Sequence, residues 1–359
     1  MKKDVVKKLE EIGGKIWEEI KKGENPWLEV PIRSLSNVRF DEKRRKIYLG
    51  EAYARRYFLH LGQVRKFVQT LGVMALSKQL IELDKHVSLR ETFYILKKTI
   101  PGSKINIVDE QKESNEAIED VELITDALRE QLHINANKLG AVAGEVVIRD
   151  RGDLIDWSKL GSGGWSVPSN VEDIEFVKVK AKFVLYVEKS AVWERLHEDK
   201  VWKKLKCIIV ASQGQATRGI RRLLQRLNVE QGLPVYVLTD FDPWGLYIYS
   251  VLKFGSISLA HISERLAIPD AKFLGLTGDD IKKYGLEKHL IKFKEIDMKR
   301  LQQIREYPWF KNNKEWQRQF DMMKKMGAKA ELEALSSRGI TFISEKYLPE
   351  KLERGDFLD

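Results

Sequence analysis

Three short apolar runs constrain this chain more than any other feature: FVLYV at 183–187, CIIVA at 207–211 and VYVLT at 235–239. Each is strand-sized, rich in β-branched residues and without the in-out alternation of a strand that has one wet face, so each must be covered on both sides. Helical patterns lie between them, and strand, helix, strand alternation is the signature of a parallel sheet with covering helices. A doubly wound α/β domain is predicted for this part of the chain. No apolar run approaches the roughly 18 residues of a membrane span. The opening MKKDVVKKLEEIGGKIWEEIKK is a charged amphipathic helix that lacks the apolar centre of a secretion signal. The single cysteine, Cys207, sits inside an apolar run, which excludes a disulfide framework or thiolate metal cluster and fits a reducing cytoplasm.

The 359 residues allow two to three domains, and three regions separate by composition. Residues 1–65 hold the amphipathic helix, the stretch NPWLEVPIRSLSNVRF and a strand-like KIYLG. With little apolar content of their own, they read as an extension that docks on something else. Residues 66–160 carry helical patterns at 62–82, 88–98 and 117–132. These are followed by LGAVAGEVVIRDRGDLIDW, a hairpin turning at Asp150 to Asp153; helices followed by a two-stranded wing predict a winged-helix domain. The turn-rich GSGGWSVPS from Gly161 begins the third region, 161–359, which holds the α/β domain and a charged helical remainder. Lys and Arg number 63 against 53 Asp and Glu, a net charge of +10 that points mildly to a polyanionic partner.

The first α/β strand ends in Glu188 and the third in Asp240, with Asp242 two residues on in LTDFDPWG. Ligand sites in open parallel sheets gather at the carboxyl ends of strands, so three acids more than 50 positions apart can converge. Two carboxylates about 5 Å apart repel by roughly 3 kcal/mol at an effective dielectric of about 20, so three together call for a cation. An all-carboxylate set without His or Cys suits a hard ion, with Mg²⁺ the default. The same acids, taken singly, can also cap the helices that follow them.

A second candidate lies in SLRETFYILKKT, where Ser88 and Glu91 form a capping-box pattern and Leu89, Phe93 and Leu96 form an apolar stripe. Tyr94 falls off that stripe, between Arg90 one turn before and Lys97 and Lys98 one turn after. A phenol beside cations can meet a DNA phosphate that the cations grip while the oxygen attacks. At pH 7 about one free tyrosine in a thousand is phenolate, a deficit of roughly 4 kcal/mol that a base, cation or metal must supply. A helical tyrosine can equally pack at a core edge with its hydroxyl in water. In SQGQATRGIRRLLQRL, Arg218, Arg221, Arg222 and Arg226 recur at i, i+3, i+4 and i+8, one basic face that suits a phosphate backbone or plain solvent. No GxxxxGK[ST] loop or GxGxxG fingerprint occurs, so an ATP-driven step must come from another chain.

In combination these residues resemble the A subunits of the topoisomerase VI family, type IIB topoisomerases related to the meiotic double-strand-break proteins. The resemblance runs nearly the whole length: PWLEVPIRSLSNV, SLRETFY, GGWSVPS, LYVEKSAVWERL, LTDFDPWGLYIYS and AELEALSSRGITFISEKYLPEKL. It implies a Toprim α/β domain beside the winged-helix domain, within an α/β and α+β multidomain chain. Tyr94 matches the second tyrosine of the family's Arg-acid-x-Tyr-Tyr motif, the cleaving nucleophile, and Arg90 its arginine; Phe93 stands where the family often has the first tyrosine. Glu188, Asp240 and Asp242 match the Toprim glutamate and DxD. The implied activity is transient double-strand cleavage through a 5′-phosphotyrosyl link with Mg²⁺. The implied partners are double-stranded DNA, a second copy of the chain, and a GHKL-type ATPase B subunit completing a heterotetramer, with residues 1–65 as its docking surface and no membrane involved. The implied place of work is the cytoplasmic nucleoid. Two other readings use fewer of these residues: a Toprim-type metal-dependent nuclease that needs no Tyr94, and a non-catalytic winged-helix DNA-binding protein whose acids are structural.

Overall fold

The computed structural model describes residues 2–212 and 214–359. They form two compact units, one from the chain up to Arg39 together with Leu49–Asn137, the other from Phe40–Tyr48 and Lys138–Asp359.

The first unit opens with α1 (Lys2–Lys21), whose Val5, Leu9 and Ile16 fall on one helical face and are buried. After β1 (Trp27–Pro31) comes the hairpin β2 (Val38–Asp41) and β3 (Lys46–Leu49), most of which belongs to the second unit, and β4 (Tyr53–Tyr57) returns antiparallel to β1. Next along the chain are α2 (Val64–Glu82), β5 (Val87–Ser88), α3 (Leu89–Leu96), α4 (Gln111–Thr125) and β6 (Ile134–Asn135). Val5 and Leu9 share one core with Val73, Leu76 and Leu80 of α2, Leu96 of α3 and Ile118 and Val121 of α4. The opening helix is thus part of this unit's own core, with its charged face outside. Helix α4 begins and ends earlier than its apolar pattern predicts. Glu113 draws in the amides of Asp109 and Glu110 at its start, and Asp126, left-handed at φ 52°, stops it.

In the second unit the strands are β7 (Ala141–Ala143), β8 (Val146–Asp150), β9 (Asp153–Asp156), β10 (Trp165–Ser166), β11 (Glu175–Val179), β12 (Phe183–Val187), β13 (Cys207–Ala211), β14 (Val235–Leu238) and β15 (Lys272–Gly275). The helices among them are α5 (Ser190–Glu198), α6 (Val201–Lys204), α7 (Arg218–Gln231) and α8 (Pro243–Phe254). Six strands make one sheet in the order β10-β7-β13-β12-β14-β15. The three predicted apolar runs form its parallel centre, and every residue of β12 and β13 is buried.

The predicted hairpin is present as β8 and β9, turning at Arg151 and Gly152. It joins β11 in a three-stranded sheet of the second unit, because β7 just before it pairs with β13 and draws the chain away from the helices at residue 138. The expected 66–160 span is therefore divided here between two units. Beyond α3 the first unit makes a shorter two-stranded excursion, with Ile107 N–H donating to Lys98 O at 2.9 Å and Ile100 N–H to Ile105 O at 2.8 Å.

Candidate active site

Strand direction places the acids. From β12 the chain passes through α5 and α6 to β13 on one side, then crosses through α7 to β14 on the other, so β12 is the point where strand order reverses. Val187 lies opposite Leu238 in parallel register, which sets Glu188 beside Thr239 and Asp240 at the carboxyl ends of the two strands. The Asp240 amide donates to Glu188 Oε2 at 3.2 Å. Asp242 caps α8, its Oδ1 accepting from Gly245 N–H at 2.6 Å, with Pro243 filling the first helical position. The capping role and the clustering role thus coincide in one residue. A glycine is required at 245: a Cβ there would stand 2.5 Å from the Asp240 carbonyl oxygen.

All three carboxyls resist ionisation. Burial, then repulsion from Asp240 and Asp242, pushes Glu188 up to about 8. Burial raises Asp240 to about 6 against the pull of the Leu332 amide and Lys189, and burial also raises Asp242, opposed by the Gly245 amide and Lys329. Among the described residues, no group of three or more His, Cys, Asp or Glu side chains is placed to hold a metal ion. Glu188 and Asp240 adjoin at the ends of neighbouring strands, Asp242 follows at the N-cap of α8, and both aspartates repel the Glu188 charge, a repulsion of the kind that a divalent cation relieves.

Sequence reasoning missed three further groups. Lys189 Nζ lies 3.2 Å from Asp240 Oδ2, 3.1 Å from Glu331 Oε2 and 2.9 Å from Glu333 Oε2. Burial opposes its charge, but Glu333, Asp240 and Glu331 outweigh that and hold the ammonium above the ordinary lysine range. The two glutamates arrive because Phe241 and Ala330 exchange backbone hydrogen bonds at 2.9 and 3.1 Å, and Leu332 N–H then donates to Asp240 Oδ1 at 2.8 Å. The EK dipeptide at 188–189 was visible in the sequence, but nothing local links it to residues more than 140 positions away.

In the first unit, the capping box forms as predicted: Glu91 N–H donates to Ser88 Oγ at 3.1 Å, and Ser88 N–H to Glu91 Oε2 at 2.6 Å. Thr92 and Leu96 form the buried side of α3, with Leu89, Phe93 and Ile95 partly covered. Tyr94 is 60% exposed, its ring 5.2 Å from that of Phe93, and its hydroxyl makes no hydrogen bond among the described residues. Arg90 on α3 is exposed, as are Lys97 and Lys98, which lie just beyond the helix because α3 ends at Leu96, short of the expected 98.

The arginine stripe is not the open basic face expected. Arg221 is 2% exposed, with Nε and Nη2 making no hydrogen bond among the described residues; burial, then Arg218, pulls it down to about 10. Arg222 holds Glu172 through two hydrogen bonds, at 2.5 and 2.8 Å. Arg226 is buried, gripping Glu230 at 2.6 Å and the carbonyls of Ile174 and Val171, with its guanidinium over the Phe176 ring. Helical spacing defined a face correctly; residues 171–176 cover it. Arg218, at the first turn of α7, is half-buried.

Comparison with known proteins matches 183–352 to the family of the Toprim domain of topoisomerase 6 A subunits and Spo11, 65–134 to "Type IIB DNA topoisomerase", and 136–180 to "All-beta domain in DNA topoisomerase VI alpha subunit". Proteins named as the A subunit of type 2 DNA topoisomerase 6 are similar over almost their whole length. That of Pyrococcus abyssi is 50% identical, covering 99% of this chain and 95% of its own. That of Pyrococcus horikoshii is 49% identical over the same shares. That of Hyperthermus butylicus is 42% identical, covering 96% and 93%.

Proposed function

The chain belongs to the family of topoisomerase VI A subunits, the catalytic subunits of type IIB DNA topoisomerases, and on that premise we propose that Tyr94 is its DNA-cleaving nucleophile. The observation that carries this reading is an exposed phenol, free of hydrogen bonds among the described residues, on the helix that carries Arg90 and is followed directly by the exposed Lys97 and Lys98. Those cations grip a backbone phosphate and hold the phenolic oxygen in line with phosphorus. The bond from phosphorus to the tyrosine oxygen forms as the bond to the 3′ oxygen breaks. The phenolic proton leaves to solvent, and the 3′ oxygen takes one up. The product is a 5′-phosphotyrosyl link and a 3′-hydroxyl. One ester replaces another, so resealing is the same exchange reversed and consumes no ATP.

The Toprim domain is a metal-binding domain, and here Glu188, Asp240 and Asp242 are the residues that would hold a divalent ion, Mg²⁺ in our reading. When bound, the ion supplies positive charge for the phosphate and the departing 3′ oxygen. Lys189, held by Glu331 and Glu333, positions Asp240 from the other side. Cutting two strands takes two tyrosines, so the working form is a homodimer in which the tyrosine of one protomer serves with the acids of its partner. A GHKL-type ATPase B subunit supplies ATP turnover, completing a heterotetramer, and residues 1–65 are its docking region; the exposed Trp17 and Ile20 on α1 support that choice. No helix of the described residues is long and apolar enough to cross a membrane.

The test mixes the chain with such an ATPase subunit, supercoiled plasmid, Mg²⁺ and nucleotide, and stops the reaction with detergent. Linear DNA carrying protein on its 5′ ends is expected, and Tyr94→Phe abolishes it. If Tyr94→Phe still cuts and no protein becomes attached, the chain is a Toprim nuclease. If Glu188→Ala and Asp240→Ala change nothing, the acids are structural.

A further inference from the structure

A second charged feature lies at the opposite end of the sheet from the acids. Lys178 and Lys180 at the end of β11, with Lys200 and Lys203 around α6, line an open cavity of about 390 Å³ walled on one side by Trp202. Its level in the fold is fixed by backbone hydrogen bonds. Lys180 N–H donates to Glu145 O at 2.9 Å, and Lys182 N–H to Lys206 O at 2.7 Å, directly before β12 and β13 begin. Glu188 lies beyond the other end of β12, five residues from Phe183 and so roughly 16 Å along the strand direction at about 3.3 Å per residue.

All four lysines are exposed, and none makes an ion pair among the described residues. Two carboxylates reach the cavity, Glu145 and Asp156. Asp156 is already engaged: its Oδ1 accepts from Ser158 N–H at 3.0 Å and from Ser158 Oγ at 2.6 Å, and Lys159 Nζ lies 3.3 Å from Oδ2. Four ammonium groups thus share one concavity with two carboxylates, one of them paired with Lys159, which leaves the lining net positive. The Trp202 wall is rigid, since its indole N–H donates to His197 Nδ1 at 3.1 Å and His197 Nε2 lies 2.7 Å from the Gly161 carbonyl oxygen. The cavity has no Arg, Asn or Gln to read a base edge. Lysines on flexible stems are point charges suited to phosphate oxygens regardless of sequence.

We propose that this cavity binds the phosphodiester backbone of duplex DNA away from the point of cleavage. The proposal rests on reading the chain as part of a DNA topoisomerase. It adds a second phosphate contact, one that contributes affinity and takes no part in bond breaking.

The test uses the full chain carrying Lys178→Gln, Lys180→Gln, Lys200→Gln and Lys203→Gln together, and measures duplex binding across a salt series. Each phosphate contact contributes about −0.9 to the slope of log affinity against log salt, so the slope is expected to become shallower by about 3 to 4. The matching Lys→Arg set is expected to keep the wild-type slope. An unchanged slope in the Gln set overturns the proposal. So does an equal loss when Lys7, Lys22, Lys43 and Lys112 are neutralised instead. Retained duplex binding with loss of inorganic phosphate binding in equilibrium dialysis makes the cavity a free-phosphate site and also overturns it. Tyr94→Phe, run alongside, separates the two readings: it loses the covalent adduct but keeps the salt slope, and an adduct that persists refutes the nucleophile while leaving the cavity's result standing.

Discussion

Replacing Glu188 by Gln tests the electrostatics of the acid cluster directly. Moving a carboxyl from its ordinary 4.5 to about 8 corresponds to about 5 kcal/mol against the ionised form in the folded protein. Since the folded value lies above the unfolded one, this group's contribution to stability is fully present below about pH 4.5 and is lost as pH rises through 8. Asp240, raised to about 6, acts in the same direction at lower pH. In chelator, the wild-type protein should therefore lose stability between pH 5 and 9. Glu188→Gln, which cannot ionise, should lose several kcal/mol less and be the more stable of the two at pH 9, while the two nearly coincide at pH 5. Denaturant unfolding of the second unit, followed by far-UV circular dichroism at both pH values, reads this difference. Divalent-ion binding gives the complementary measurement. With a value of about 8, Glu188 is about nine-tenths protonated at pH 7, so loading Mg²⁺ should release close to one proton from the wild type and much less from the variant. Calorimetry in two buffers of different ionisation enthalpy counts that proton. Parallel pH profiles for the two proteins, or Mg²⁺ binding without proton release, refutes the picture of a site under charge strain.

Other perturbations probe the same geometry. Lys189→Met removes the cation facing Asp240, Glu331 and Glu333 and should destabilise the ion-free protein by about 2 kcal/mol while tightening divalent binding, both read by calorimetry. Gly245→Ala places a methyl group against the Asp240 carbonyl and should cost about 2 kcal/mol or more and weaken Mg²⁺ binding, measured by melting and titration. Arg226→Met frees residues 171–174 from α7 and should cost about 2 to 4 kcal/mol in denaturant unfolding, yet leave the salt slope of DNA binding unchanged. Tyr94→Phe should keep the fold and DNA affinity and lose only the detergent-trapped adduct.

Signals that depend on one element were readable along the chain. The uninterrupted apolar runs of β12 and β13 dictated burial on both faces, and parallel register then brought Glu188 next to Asp240. The Ser88–Glu91 box fixed where α3 starts and hence which side Tyr94 faces. Signals that depend on what covers an element were not readable. The arginines of α7 share a face, but only the tertiary fold lays Glu172 and the 171–174 carbonyls over Arg222 and Arg226. The β8–β9 hairpin formed where its turn residues said, yet its companion was decided by β7, three residues long, pairing with β13. Lys189 and its two glutamates meet through the single bridge between Phe241 and Ala330, which no spacing rule anticipates.

That bridge makes the acid centre a part of the molecule that is finished late. As the polypeptide leaves the ribosome, Tyr94 and the strands bearing Glu188 and Asp240 emerge long before Ala330, Leu332 and Glu333. Until those late residues arrive, Asp240 has neither the Leu332 amide nor the full pairing of Lys189 to fix it. A half-made chain therefore already carries Tyr94 and Arg90, but not the settled carboxylate frame.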